Sequence, residues 1–418
     1  MNMNTTDRVS SIVDADFDAE VAFLAELVRV ASDNPPGNCA PHAEKAGALL
    51  EQLGYAVERY PVAEGTAKAV DMVSAVNLIV RRKFGTGGPC IALNAHGDVV
   101  PPGLGWTQDP YGAAILEDST HGPTMYGRGV AVSKSDFATY TYALRAMERL
   151  AAEGQKINGT VELHFTYDEE VGGDIGPRWI LSQGLSKPDF AIGAGFSYAV
   201  TTAHNGCLHL EVTVRGRQGH AAMPESGVDA LAAATRVLQA LYDSRADFGN
   251  VSSQTPGIRH PTLNVGLIEG GINTNVVPDR VTFRLDRRII PEESPSIAEA
   301  QTREVIERTA AGTVGIRVEI RRVLLALPLV KLPGAQILTG ALQRHGERFF
   351  GTPIAEHGVP LYTDARHYTE AGIPTVLYGA GPRTLAEANG HAADECLRLN
   401  DLRKATKTVA CTLLELLA

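Results

Sequence analysis

Leu208-His209-Leu210-Glu211-Val212-Thr213-Val214 sets an apolar side chain at every second place and reads as a strand, and the run of elements after it decides the fold. A helix is expected from Val228 to Tyr242, then strands near Thr262 to Ile268 and Arg280 to Asp286. A helix from Ser296 to Ala311 and a strand from Ile316 to Arg322 complete the series. In order this is β-α-β-β-α-β, the split arrangement in which two helices cover one face of a small antiparallel sheet. Such a unit can stand alone.

On either side of it the texture differs. Helices expected at Asp18 to Ala31, His42 to Leu53 and Ser133 to Ala152 alternate with apolar strands at Ala75 to Arg81, Cys90 to Asn94 and Gly159 to Thr166. The same texture resumes past Leu327-Pro328, with a helix from Gly334 to Phe350, a strand near Thr375 to Tyr378 and a helix from Asp401 to Leu417. That alternation predicts an α/β sheet covered on both faces. The expected fold is therefore α/β: a discontinuous mixed-sheet domain over 1–205 and 325–418, interrupted at 206–324 by an inserted α+β, ferredoxin-like domain.

Composition excludes several classes. With 44% hydrophobic and 21% charged residues, and 42 Gly and 23 Pro spread along 418 residues, the chain is an ordinary folded protein. A formal charge of −10 and the lack of a basic run argue against nucleic acid and anionic membranes. No apolar run reaches the ~20 residues of a membrane span, and the first residues lack a signal-like pattern, so a cytoplasmic protein is expected. The five cysteines, Cys39, Cys90, Cys207, Cys396 and Cys411, lie far apart, form no C-x-x-C pair and suggest reduced thiols. Cys396, close in sequence to His391, is the one with a possible part in a site.

Three clusters can carry chemistry. In Leu93-Asn94-Ala95-His96-Gly97-Asp98, alternation along the strand puts His96 and Asp98 on one side, so the carboxylate can orient a metal-binding imidazole; the alternative is a pair of ordinary loop residues. Asp168-Glu169-Glu170 places three mutually repelling acids after a buried strand, which a cation would stabilise and a solvated turn would tolerate. Gly390-His391-Ala392-Ala393-Asp394-Glu395 offers a further imidazole, or merely a helix start.

Taken in order, these clusters resemble the zinc-dependent aminoacylases, acetylornithine deacetylases, succinyl-diaminopimelate desuccinylases and carboxypeptidase G enzymes. The resemblance includes Gly105-Trp106-Thr107, Tyr126-Gly127-Arg128-Gly129, Gly219-His220-Ala221-Ala222-Met223-Pro224, Asn275-Val276-Val277-Pro278 and Asp286-Arg287-Arg288. It implies a metal-dependent hydrolase whose inserted domain acts as a lid and dimerisation surface, giving a homo-oligomer. It further implies that His96, Glu170 and His391 are metal ligands, that Asp98 steadies His96, and that Glu169 is the general base. The ion would be Zn, Mn or Co, lowering the pKa of a coordinated water from ~15.7 to ~7. By the same resemblance His220 stabilises the oxyanion, and Asn275, Arg288 and Arg366 take the substrate end, a small carboxylate.

Two family acids are missing. The place of the acid that bridges two ions is Val132, and the place of a second acid is Gly195. Valine has no donor atom and glycine no side chain, so one loosely held ion per subunit is expected, with Asp136 or Asp174 as substitute ligands if either can swing in. Among outlying relatives with so depleted a site, the chain is similar to aminohydrolases that replace an aromatic amine by hydroxyl, which suggests deamination of 5-nitroanthranilate to 5-nitrosalicylate. Deacylation of an N-acyl amino acid, dipeptide or carboxypeptidase cleavage, and a non-catalytic binding relative are the alternatives.

Overall fold

The strand expected to begin at Cys90 runs Cys90–His96 and occupies an inner place in an eight-stranded mixed sheet. From edge to edge the order is Val57–Pro61, Val76–Phe84, Gly159–Thr166, Cys90–His96, Phe190–Gly193, Thr375–Leu377, Ala199–His204 and Ala355–Val359. The four from Gly159–Thr166 to Thr375–Leu377 are mutually parallel. They are largely buried on both faces; three of them were expected from sequence, and Phe190–Gly193, only four residues long, was not. In this computed structural model residues 5–118, 122–131 and 133–418 are described.

Helix Lys134–Ala152 lies against Cys90–His96 and Gly159–Thr166, and Phe137 stacks on Phe165 with centroids 3.8 Å apart. Helices Thr5–Val28 and Leu399–Leu417 pack on it in turn. The first of these starts well before the expected Asp18. Val9, Ile12, Val13 and Phe17 already supply a buried stripe at helical spacing.

Two compact units emerge: Met1–Thr202 with Lys331–His357 and Thr363–Ala418, and Ala203–Val330 with Gly358–Tyr362. Sequence placed the insertion at 206–324; the second unit also takes in Gly358–Tyr362, where the Gly358 N–H donates to the Pro256 carbonyl at 2.7 Å. Its sheet has the order Thr262–Gly270, Arg280–Ile289, Gly206–Arg215, Arg317–Ala326, antiparallel throughout. Helices Ala230–Asp243 and Pro295–Ala311 pack on it and on one another, the first capped by Asp229, which accepts from the Ala232 N–H at 3.0 Å. This is the expected ferredoxin-like order. Among the described residues no helix is long and apolar enough to cross a membrane.

Candidate metal centre

Parallel pairing of Cys90–His96 with Gly159–Thr166 sets His96 opposite Thr166, so both strands end together and the acids after Thr166 fall beside His96. The carboxyl ends of parallel strands are where α/β sheets form crevices. Gly97 is needed for the approach, since a Cβ there would stand 2.4 Å from the Tyr167 ring.

Asp98 is fully buried and organises the cluster. Its carboxylate accepts from Asn34 Nδ2 at 3.0 Å, from the Glu169 N–H at 3.3 Å and from the Glu170 N–H at 3.1 Å. His96 Nδ1 lies 2.9 Å from the Asp98 carbonyl oxygen and 3.3 Å from Asp98 Oδ1. With Nδ1 so engaged, Nε2 is the ring nitrogen left to meet a ligand, and it stands 3.9 Å from Glu169 Oε2. One ligand atom from each of His96, Glu169 and Glu170 lies within 4.8 Å of the others.

These groups are charged at a cost. Burial drives the Glu169 carboxyl well above its ordinary range, with Glu170 and Asp364 adding to the effect and His96 opposing it. Burial, then Asp98, carries Glu170 to about 7. For His96 burial disfavours the proton, yet Glu169, Asp98 and Glu170 together hold its pKa well above the usual value. Glu170 Oε1 is buried without a hydrogen-bond partner among the described residues, and His391 Nε2 is 3.7 Å from it. An unpaired carboxylate oxygen among acids, facing two imidazoles, suits a divalent cation: the donor set fits.

His391 is half exposed and sits at φ +64°, in the left-handed region, between Asn389 at +50° and Asp394 at +55°. Its loop is tied down by two acids just beyond it. Asp394 accepts from the Thr107 N–H at 2.8 Å, Thr107 Oγ1 at 2.9 Å and the Gln108 N–H at 3.2 Å. Glu395, fully buried, takes Arg128 Nη1 at 2.6 Å, the Gly129 N–H at 3.1 Å and the Ala131 N–H at 3.0 Å. Arg128 in turn lies over the Trp106 ring at 5.2 Å. The Trp106, Arg128 and Glu395 motifs are thus one scaffold beneath His391.

The remaining sequence candidates divide. Val132 lies outside the described residues. At Gly195 a Cβ would come within 2.9 Å of the Leu377 carbonyl carbon and the Tyr378 nitrogen, so the backbone lies close over the place where the resemblance expects an acid. Asp136 is buried and its Oδ1 accepts from the Ala380 N–H at 2.7 Å, with burial raising its pKa to about 7. Asp174 is exposed and pairs with Arg178 at 3.0 Å. Cys396 lies in a different cavity, with Arg383 and Asp401. None of these three joins the His96 cluster among the described residues. Arg366 is buried, its fork on the Gly172 carbonyl and on Glu370 at 3.3 Å, so it braces the turn behind Glu169 and Glu170.

In the second unit, His220 pairs across a short ribbon with Val276, and the Ala221 N–H donates to the Asn275 carbonyl at 3.1 Å, which brings the two together. His220 Nδ1 accepts from the Ala222 N–H at 3.0 Å, which leaves the neutral ring's proton on Nε2, a donor. Arg288 grips Asp286 at 3.0 Å through both Nε and Nη2.

Sequence reasoning missed Asp364 and Asn34. Asp364 is buried, lines a small cavity with His96 and Glu169, accepts from Thr166 Oγ1 at 3.4 Å, and is raised by burial to about 7. Its one local signal is its place two residues before Arg366.

The profile of Peptidase family M20/M25/M40 matches residues 92–415. Acetylornithine deacetylase from Myxococcus xanthus is 27% identical over 93% of this chain and 95% of its own length. The di-peptidase Dug1p from Saccharomyces cerevisiae superposes with a TM-score of 0.76 at 14% identity, covering 99% of each chain. A Bacillus subtilis protein described as a dinuclear metal binding peptidase gives 0.64 at 17% identity, covering 97% of this chain and 99% of its own. With its two units, its strand-end histidine and acids, and a family match that runs from Ala92 almost to the C-terminal residue, the chain belongs to Peptidase family M20/M25/M40 and is a metal-dependent hydrolase acting on C–N bonds.

Proposed function

We propose that this hydrolase works with a single, weakly held divalent ion on His96, Glu170 and His391, and that its substrate is a small aromatic amine bearing an adjacent carboxylate, 5-nitroanthranilate. One observation supports the reading: glycine stands where the resemblance expects an acid, and a Cβ there would meet the Leu377–Tyr378 backbone at 2.9 Å, so a side chain enters only if that backbone shifts. An ion short of anionic ligands keeps positions that a chelating amine and carboxylate can fill. When bound, the ion supplies Lewis-acid activation of water and of the attacked carbon.

The residues divide the remaining work. Asp98 fixes His96 and, through two backbone N–H groups, fixes Glu169 and Glu170. Glu169 receives the proton from water and passes it to the departing nitrogen. A C–O bond forms and the aryl C–N bond breaks, so amine plus water gives hydroxyl plus ammonia. The nitro group para to the amine accepts the charge that develops on the ring. His220 and Arg288 keep the oxyanion and carboxylate roles that the family resemblance gives them, with Asn275 beside His220.

Deacylation of an N-acyl amino acid or cleavage of a dipeptide is the second reading, supported by the acetylornithine deacetylase relative. The test is one panel, 5-nitroanthranilate, anthranilate, N-acetylornithine and dipeptides, each with Mn, Zn and Co. Release of 5-nitrosalicylate and ammonia, with anthranilate inert, is expected. Turnover of the acyl or peptide substrates alone would replace the first reading with the second.

A further inference from the structure

The inserted unit carries another group of ligating side chains. Cys207 and His209 stand two residues apart on Gly206–Arg215, so alternation puts both on one face of the sheet. Arg280–Ile289 runs antiparallel beside it, with Asp286 opposite His209 and Arg288 opposite Cys207. Cys207 Sγ lies 3.1 Å from His209 Nε2 and 3.6 Å from Asp286 Oδ1, and His209 Nε2 is 3.4 Å from Asp286 Oδ2.

Those separations are informative. Ligands about 2.0–2.3 Å from a tetrahedral ion stand roughly 3.3–3.6 Å from one another. The thiol and imidazole are 3.1 Å apart, each reaches a different oxygen of Asp286 at 3.6 and 3.4 Å, and one ligand atom from each of the three residues lies within 4.8 Å of the others, so a small shift of these side chains would gather them on one ion. The donors are a thiol, an imidazole and a carboxylate, a mixture that selects borderline-soft cations over magnesium or calcium. The Cys207 thiol is buried, while the side chains of His209 and Asp286 are 35% and 30% exposed, which leaves an ion a way in. Arg288 donates to both oxygens of Asp286, as the outer partners of a ligating carboxylate do. Its positive charge opposes a dication, and ionisation of the thiol offsets it.

We propose that Cys207, His209 and Asp286 form a second cation site, for zinc or a cation of similar softness, independent of the ion at His96. The triad shares no residue with His96, Glu169, Glu170 and His391, so metal binding at the two places can be read separately, although Asp286 holds Arg288, to which the substrate carboxylate is assigned.

Cobalt(II) added to the metal-stripped full chain is the probe. The expected result is a near-ultraviolet thiolate-to-cobalt charge-transfer band that is lost in C207S and kept in H96A, together with one fewer equivalent of zinc retained by C207S in equilibrium dialysis. H209N should keep the thiolate but weaken cobalt binding at that band by at least tenfold, which keeps the outcome decidable if C207S does not fold. No band in the wild-type chain, a band lost in H96A, or one unchanged in C207S and H209N would overturn the site. The triad would then be a hydrogen-bonded network only.

Discussion

The Glu170 backbone N–H donates to Asp98 Oδ2 at 3.1 Å, so the residue that steadies His96 also fixes the acid proposed to share an ion with it. Replacing Asp98 therefore disturbs two ligands through one atom group. Asp98→Asn is expected to weaken metal binding by about 10–100-fold, as loss of an outer partner commonly does. Competition with a fluorescent chelator reads this directly, and an unchanged affinity would remove Asp98 from the site.

Glu169 and Glu170 are neighbours with different assignments. Glu169→Gln should lower kcat by about 10²–10⁴ while the chain still retains its ion, as expected for loss of a proton carrier. Glu170→Gln should release the ion at a chelator concentration that wild type survives. Equal metal loss in both would make Glu169 a ligand, which the 4.8 Å grouping of His96, Glu169 and Glu170 makes a fair contest.

Restoring the lost acids is the obvious engineering step, and the packing at Gly195 works against it. A Cβ 2.9 Å from the Leu377 and Tyr378 backbone forces the adjacent strand to move, so Gly195→Ala should cost about 1–3 kcal/mol, read as a lowered unfolding midpoint. Val132→Asp with Gly195→Glu is expected to lose stability in the same way, and tighter metal binding in the folded fraction is its informative readout.

Arg128 and Glu395 form an ion pair of 2.6 Å with both side chains essentially inaccessible. Arg128→Met leaves the Glu395 carboxylate uncompensated and should destabilise the chain by about 3–5 kcal/mol in a denaturant titration. A surviving fold should also hold its metal less well, because Glu395 and the His391 loop move together.

Away from the site, burial raises the Glu20 carboxyl to about 8, against the hydrogen bond from Thr406 Oγ1 at 2.5 Å. The unfolded chain releases that proton near its ordinary pKa of 4.5, so the folded state binds more protons between the two values. This group contributes no penalty below the lower value, and a growing one as pH rises, complete above about 8. Glu20→Gln should therefore raise the melting temperature at pH 8 relative to wild type and change it little at pH 4. An equal shift at both would show that Glu20 is not protonated in the fold.

Legibility followed the range of the interaction. Four inner strands, Val76–Phe84, Gly159–Thr166, Cys90–His96 and Thr375–Leu377, and the β-α-β-β-α-β insertion were readable because burial imposes a pattern on neighbouring residues, and His96-x-Asp98 because both sit on one strand end. Strands such as Ala114–Asp118 and Ala355–Val359, five residues each and at the edge of their sheets, escaped. Asp364 reaches the cavity of His96 from a distant segment, and no local pattern marks a buried acid in a polar loop. Cys207, His209 and Asp286 become a group only once the register of two strands is known. Arg366, given to the substrate end by the resemblance, holds the Gly172 carbonyl, a partner that could be seen only in three dimensions.

The hitch between Arg128 and Glu395 also bears on how the protein is born. A ribosome delivers His96, Glu169 and Glu170 long before Glu395, so the N–H groups of Gly129 and Ala131 wait without their acceptor while the whole inserted unit is synthesised. The proposed ligand set of His96, Glu170 and His391 is likewise complete only after the inserted unit has been synthesised.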